Sequence, residues 1–125
     1  MQVTEIYADA AGETHFRKKT VDLALRDFAP PAAPIGVSAE EIMTTGLFLE
    51  APPGWDKSFH PTPRRQYAIL LSGTITVTVT DGTVIEAGPG EVLLLNDTDC
   101  RGHLTQVQGD RPAVFFLVGF AEDAA

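Results

Sequence analysis

The chain has 125 residues, with 9 Lys and Arg against 17 Asp and Glu and a formal net charge of -8. From this length we expect one hydrophobic core and no second catalytic domain. The acidic balance argues against nucleic acid or an anionic membrane as a partner, because both are bound through basic side chains.

A single cysteine, Cys100, excludes an intrachain disulfide. Residues 1–25 lack the apolar segment of a secretory signal, and the longest uncharged run, residues 66–80, is too short for a membrane helix. We therefore expect a soluble, cytoplasmic protein.

The N-terminal third of the chain predicts two short strands followed by an irregular connection. Within residues 1–28, short apolar and charged pieces alternate from Val3 to Tyr7 and again from Val21 to Arg26, as in strands. Residues 29–41 contain three prolines, which lack backbone donors and favour an extended surface arm over a helix. Helical structure is expected at most as one turn near residues 38–43.

From residue 42 onwards the sequence is typical of a series of short strands. The clearest alternation is in residues 74–80, where Ile and Val alternate with Thr and give the strand one apolar face. Asp81 and Gly82 then have the turn chemistry of a hairpin. About eight to ten strands with turns between them and no convincing helix indicate an all-β fold, a β-sandwich or small β-barrel. The strands expected in this part are residues 42–50, 67–71, 74–80, 83–86, 92–95, 103–107 and 113–120.

The stretch from Gly54 to Gly73 resembles the first sequence motif of the cupin superfamily. That motif places two histidines and a glutamate between two glycines at set spacings. Here His60 occupies the first histidine position, while Thr62 and Gln66 stand where the second histidine and the glutamate would be. The spacing is complete, but two of the three ligand types are replaced.

The second cupin motif, a glycine followed by Pro-x-Gly and a later histidine, is matched by Gly82, a shifted Pro89, Gly90 and His103, with a longer loop before the histidine. The resemblance implies a single jelly-roll barrel, also called a double-stranded β-helix, over residues 42–122, as in small single-domain bacterial cupins. It also implies a homodimer in which the N-terminal strands of residues 1–28 are exchanged between two copies.

The candidate site is a row of polar side chains that would enter the barrel. On a regular strand His60, Thr62, Arg64 and Gln66 would point to one face, and the resemblance implies that this face is the barrel interior. His103 would meet them from the facing strand. His15, the third histidine, lies in a charged stretch and is expected at the surface.

Cupins bind a transition metal through three imidazoles and a carboxylate, and this chain departs from that set. Its metal candidates are His60, Gln66 and His103, a weaker set because the amide is neutral. We therefore expect either no cofactor or one divalent transition metal (Zn, Fe, Mn or Ni), with the metal-free form favoured. Three groups in the loop before His103 could strengthen the set: Asp97, Asp99 and Cys100.

Without a metal, His60 and His103 suit catalytic roles as general acid and base, because the pKa of an unperturbed imidazole lies near neutrality. The implied function is a small-molecule enzyme of the isomerase, dehydratase, cyclase or lyase type, or of the dioxygenase type if a metal is bound. The alternative is a non-catalytic cupin that binds or senses a metabolite. The substrate-binding candidates are Thr62 and Gln66 for a carbonyl or hydroxyl group, Arg64 for a carboxylate, and Trp55, which would either wall the pocket mouth or lie at a subunit interface.

Overall fold

The computed structural model describes residues 1–122, which form β-strands and short turns and contain no helix. The all-β prediction is confirmed. With no helix in these residues, none is long and apolar enough to cross a membrane. The strands are β1 (Gln2–Ala8), β2 (Thr14–Thr20), β3 (Ala24–Arg26), β4 (Ile35–Val37), β5 (Met43–Ala51), β6 (Gln66–Ser72), β7 (Ile75–Val79), β8 (Val84–Ala87), β9 (Val92–Asn96), β10 (His103–Val107) and β11 (Ala113–Phe120).

Two sheets build the barrel. A six-stranded sheet has the order β2-β1-β9-β6-β11-β5, and a three-stranded sheet has the order β10-β7-β8. β1 lies parallel to β9, and the other neighbours in both sheets are antiparallel. Strands distant in sequence are therefore neighbours in the larger sheet, as a jelly-roll barrel requires.

The hydrophobic core lies between the two sheets. In β7, Ile75, Val77 and Val79 are at most 1% exposed, while the threonines between them face outwards. They belong to the same apolar cluster as Leu70 of β6 and Phe115 of β11. Each such side chain contributes about 1.5 to 3 kcal/mol by leaving water. The period-two pattern of the sequence therefore identifies the core face correctly.

The N-terminal third differs from the prediction in three ways. Residues 14–20 form β2, which the sequence did not predict because THFRKKT carries charged side chains instead of an apolar alternation. Such charges are tolerated because β2 is an edge strand of the larger sheet. The strand expected at residues 21–26 is shortened to β3, and the predicted connection contains the short strand β4, which pairs with β3.

The β3-β4 hairpin exposes apolar side chains. It forms a separate two-stranded sheet, and Leu25 is 78% exposed. β1 and β2, in contrast, are strands of the six-stranded sheet. The exchange of N-terminal strands in a homodimer stays a prediction.

A buried threonine connects the start of β2 to the loop before β10. The Thr14 hydroxyl donates to the Gly102 carbonyl at 2.7 Å, and its backbone N–H donates to Thr80 Oγ1, also at 2.7 Å. In return, the backbone N–H of Thr80 donates to Thr14 Oγ1 at 2.9 Å. Thr14 is fully buried. These bonds fix Gly102, and with it the start of the strand that carries His103.

His15 joins two turns through a pair of carboxylates, which predicts a pH dependence of stability. Its Nε2 lies 2.7 Å from Asp9 Oδ2 and its Nδ1 lies 2.9 Å from Asp81 Oδ2. The hydrogen bond to Asp9 and then that to Asp81 raise the pKa of His15 above its ordinary value. The stabilisation that protonated His15 contributes is therefore complete below the pKa of His15 in the unfolded chain, about 6.5. It is lost as the pH rises through the higher pKa of His15 in the folded protein.

The test compares the melting temperatures of the wild type and His15→Gln between about pH 6 and about pH 9. We expect the wild type to be more stable at the acidic end and the difference to shrink towards the alkaline end. Added salt should reduce the difference too, because the contacts are partly exposed. Parallel melting curves for the two proteins over this range would contradict the prediction.

Candidate functional site

A cavity of about 310 Å³ opens where four strands of the larger sheet meet β10. Its size lies at the lower end of the range for small-molecule sites. Apolar side chains form most of its wall, and the polar groups are concentrated on the side of β10 and of the loop between β5 and β6. The lining residues on the apolar side are Leu49, Ala51, Leu95, Phe115 and Leu117, and those on the polar side include His60, Thr62, Gln66, His103 and Thr105.

His60 and His103 lie side by side in this wall. Each backbone N–H donates to the backbone carbonyl of the other at 3.0 Å, which makes an isolated β-bridge between the loop and the first residue of β10. The two imidazole ring centres are 5.1 Å apart. The structure thus brings together two histidines that are 43 positions apart in the chain.

A buried carboxylate orients His103. Asp97, which follows β9 directly, is fully buried, and its Oδ2 accepts a hydrogen bond from His103 Nδ1 at 2.6 Å. The other carboxylate oxygen, Oδ1, has no partner. This bond places the proton on Nδ1 and directs the lone pair of Nε2 away from Asp97. Within residues 1–122, Nε2 of His103 has no hydrogen-bond partner, although its ring lines the cavity.

A second aspartate holds His60. Asp56 Oδ2 lies 2.9 Å from His60 Nε2 and accepts a hydrogen bond from the backbone N–H of Thr105 at 2.8 Å. The Asp56 side chain is only 6% exposed. On the other side of the ring, His60 Nδ1 lies 3.2 Å from the carbonyl of Pro61. Both ring nitrogens of His60 therefore have acceptors within the protein.

Sequence reasoning missed Asp56. The available clue was a carboxylate four positions before a histidine of the motif, in a turn-rich segment. That spacing also occurs by chance on a surface loop, so it does not identify a pair. What makes the pair is the burial of Asp56 against β10, which depends on the packing of two distant segments.

Thr62 and Gln66 are buried and bonded to each other. Gln66 Nε2 donates to Thr62 Oγ1 at 3.2 Å, and the Thr62 hydroxyl donates to the Arg64 carbonyl at 2.7 Å. Thr62 thus uses its hydroxyl to shape the loop and to orient the Gln66 amide. That amide has a second N–H and a carbonyl oxygen for a ligand.

The prediction that Arg64 points into the barrel is wrong. It assumed a regular strand, but the chain bends at residues 63–65, and β6 begins only at Gln66. Arg64 is exposed, does not line the cavity, and donates to Thr45 Oγ1 at 3.3 Å. Its neighbour Arg65 packs over the Phe120 ring at 3.9 Å.

Of the remaining candidates Trp55, Asp99 and Cys100, only Trp55 is part of the cavity lining. Trp55 lines the cavity while half of it is exposed, and its ring meets His60 edge to face at 5.6 Å. Asp99 is exposed. The Cys100 thiol lies 3.1 Å from the Asp97 carbonyl, and burial, together with the charges of Asp97 and Asp99, raises its pKa. Such a thiol is a poor metal ligand, because binding requires the thiolate.

The side chains present do not fit the metal that the superfamily resemblance suggests. Of the three candidates, His60 has an acceptor next to each ring nitrogen, Gln66 is neutral, and only His103 has a ring nitrogen without a partner. The Asp97 carboxylate is already hydrogen-bonded to His103. Across residues 1–122 no group of three or more His, Cys, Asp or Glu side chains is arranged around a possible metal position.

The fold has two packed sheets with a jelly-roll order of strands, and a pocket with polar groups lies between them. These features define the class of jelly-roll barrel proteins. Comparison with known families identifies the family. The family model described as "Cupin domain" matches residues 47–119, more than half of the chain. This protein belongs to the cupin family, as the resemblance of its two motifs predicted. No curated protein matches the sequence significantly.

Two solved structures are similar to this chain at low sequence identity. The cupin domain of Cnp3 from Schizosaccharomyces pombe is 14% identical, with a TM-score of 0.46, over 96% of this chain and 84% of that one. A putative ethanolamine utilization protein from Salmonella typhimurium is also 14% identical, with a TM-score of 0.41, over 98% of both chains.

Proposed function

We propose that this cupin is a small-molecule enzyme that moves a proton next to a carbonyl group, with His103 as general base and acid. The observation that supports it most directly is the buried Asp97–His103 pair, with Nδ1 held at 2.6 Å and Nε2 without a partner on a ring that lines the cavity. An imidazole fixed in this way is prepared to accept a proton, because the carboxylate stabilises the imidazolium that forms.

In the proposed step, His103 Nε2 takes a proton from the carbon next to the substrate carbonyl. The electrons of the broken C–H bond move to the carbonyl oxygen, and the free N–H of Gln66 donates to the oxygen as its negative charge develops. The imidazolium then returns the proton to another atom of the same molecule. Substrate and product are isomers, so no further reactant is consumed. A dehydratase or cyclase reaction would begin with the same proton transfer.

The other side chains of the site hold this geometry. Thr62 orients Gln66, and Asp56 fixes the ring of His60, whose edge-to-face contact with Trp55 closes one side of the cavity. The apolar wall excludes water and strengthens the polar contacts inside. Because the donor set does not suit a metal, the proposed chemistry uses none. His60 is thus assigned a wall and positioning role rather than that of a second base.

The test is deuterium incorporation from D₂O into the carbon next to the carbonyl of three neutral ketones, phenylacetone, benzylacetone and methyl pentyl ketone, followed by NMR. We expect the protein to accelerate exchange of at least one ketone, and His103→Gln to lose about 100-fold or more of that acceleration. His15→Gln makes the same change at a surface histidine and should retain it. Exchange that survives in His103→Gln would contradict the assignment.

The same experiment separates catalysis from binding. The alternative, a non-catalytic cupin that binds or senses a metabolite, is favoured by the largely apolar wall and by the engagement of both His60 nitrogens. Saturation-transfer NMR on the same ketones measures binding independently of exchange. A ketone that binds in the cavity but exchanges at the buffer rate would establish the binding module and refute the enzyme.

A further inference from the structure

No lysine or arginine side chain lines the cavity. The chain contains 9 Lys and Arg, all within the described residues 1–122, and none of them lines the cavity. The two arginines nearest in sequence to the lining residue Gln66 contact other groups. Arg64 donates a hydrogen bond to Thr45 Oγ1, and Arg65 packs over the ring of Phe120. Others form ion pairs outside the cavity lining, such as Arg17 with the buried Glu5.

The charges that do lie close to the cavity are negative. Asp56 and Asp97 stand behind the two histidines, with side chains that are 6% and 0% exposed. One oxygen of Asp97 has no hydrogen-bond partner, so its charge is compensated only through His103. A carboxylate or phosphate entering this wall would lose its hydration, find no lysine or arginine to pair with, and face two buried carboxylates behind the histidines. Such a transfer is strongly unfavourable.

The apolar side of the wall defines the rest of the ligand. Leu49 and Leu117 are half-buried, Phe115 and Leu95 are buried, and together they face the polar side made by His103 and the Gln66 amide. These polar groups match one or two oxygen atoms. Most of the remaining surface of a ligand of this size meets carbon.

From this arrangement we infer that the cavity takes a neutral, largely apolar small molecule with one or two oxygen atoms, and rejects carboxylates and phosphates. The inference rests on the proposed function for the position of the site and adds the class of substrate. It replaces the expectation that an arginine grips a substrate carboxylate.

The test uses matched pairs of ligands. Phenylacetone, benzylacetone and methyl pentyl ketone are each compared with the oxo acid in which a carboxylate replaces the ketone methyl group, and dissociation constants are measured by NMR titration. We expect at least one ketone to bind at least about tenfold more tightly than its oxo acid.

A charge placed in the wall should reverse this preference. Leu49→Arg adds a guanidinium at a half-buried lining position, and we expect it to tighten oxo acid binding about tenfold relative to the ketone. Phe48→Arg is the matched control, because it adds the same charge at the adjacent, exposed position of β5, outside the lining. It should leave the ratio unchanged.

The outcomes separate the two proposals. Oxo acids that bind the wild type as tightly as their ketones would overturn the inference while leaving the cavity as the site. Binding of no ketone and no oxo acid would overturn both the inference and the small-molecule function. A charge effect equal in Leu49→Arg and Phe48→Arg would show that the oxo acids respond to overall charge, and would also overturn the inference.

Discussion

Replacing Asp97 by Asn is expected to lower the proton-transfer rate at His103 by about 10²- to 10⁴-fold, although the new side chain has nearly the same shape. The Asp97 carboxylate only accepts hydrogen bonds, so it requires the proton of the neutral ring on Nδ1. An amide can instead donate to Nδ1, and the ring proton then moves to Nε2. The cavity would face an N–H in place of a lone pair, and the base would be lost without any change in the outline of the pocket.

The tautomer of His103 supplies a measurement that a purely structural role would not change. In ¹⁵N NMR of the protein labelled at histidine, Nε2 of His103 should give the signal of an unprotonated nitrogen in the wild type and of an N–H nitrogen in Asp97→Asn. Ketone binding should change little, so the loss should fall on the rate at saturation.

Asp99→Asn is the matched control for this variant. It lies in the same loop, carries the same change and is exposed. It should keep both the rate and the tautomer. An Asp97→Asn protein with the wild-type tautomer and the wild-type exchange rate would refute the positioning role of Asp97.

The sequence predicts the fold well where the pattern of burial is local. The alternation in β7 identifies its core face, and β10 and β11 are observed with the predicted bounds, because each strand has one apolar face or a buried run. The sequence pattern does not predict β2, for the opposite reason. It is an edge strand with charged side chains, and its position comes from pairing with β1 instead of from its own composition.

The site is predictable only in part. The spacing of the cupin motifs pointed to His60, Gln66 and His103, which the structure brings to one cavity. Arg64 was placed wrongly, because alternation along a strand does not apply across a bend. Asp56 was missed, since its burial results from contacts between distant segments that no local pattern records.

Replacing Gly102 by Ala is expected to destabilise the protein by at least about 3 kcal/mol and to open the site. Gly102 has a φ of +82°, in the left-handed region that disfavours other residues. An added Cβ would also overlap the carbonyl group of His60 and the nitrogen of Pro61. Neither can withdraw easily, because His60 is hydrogen-bonded to His103 and the Gly102 carbonyl is held by the buried Thr14.

Gly109→Ala separates the two contributions to this cost. Its φ of +76° is nearly the same, but an added Cβ would meet nothing within 4 Å. The control should therefore lose only about 1 to 2 kcal/mol, the cost of the left-handed conformation itself, as measured by urea unfolding. The excess in Gly102→Ala reports the contact between the two segments that carry His60 and His103. We also expect weaker ketone binding in Gly102→Ala but not in Gly109→Ala, because the β-bridge that aligns His60 and His103 must break in the first variant. Equal losses of stability in the two variants would show that the close approach of Gly102 to His60 is dispensable.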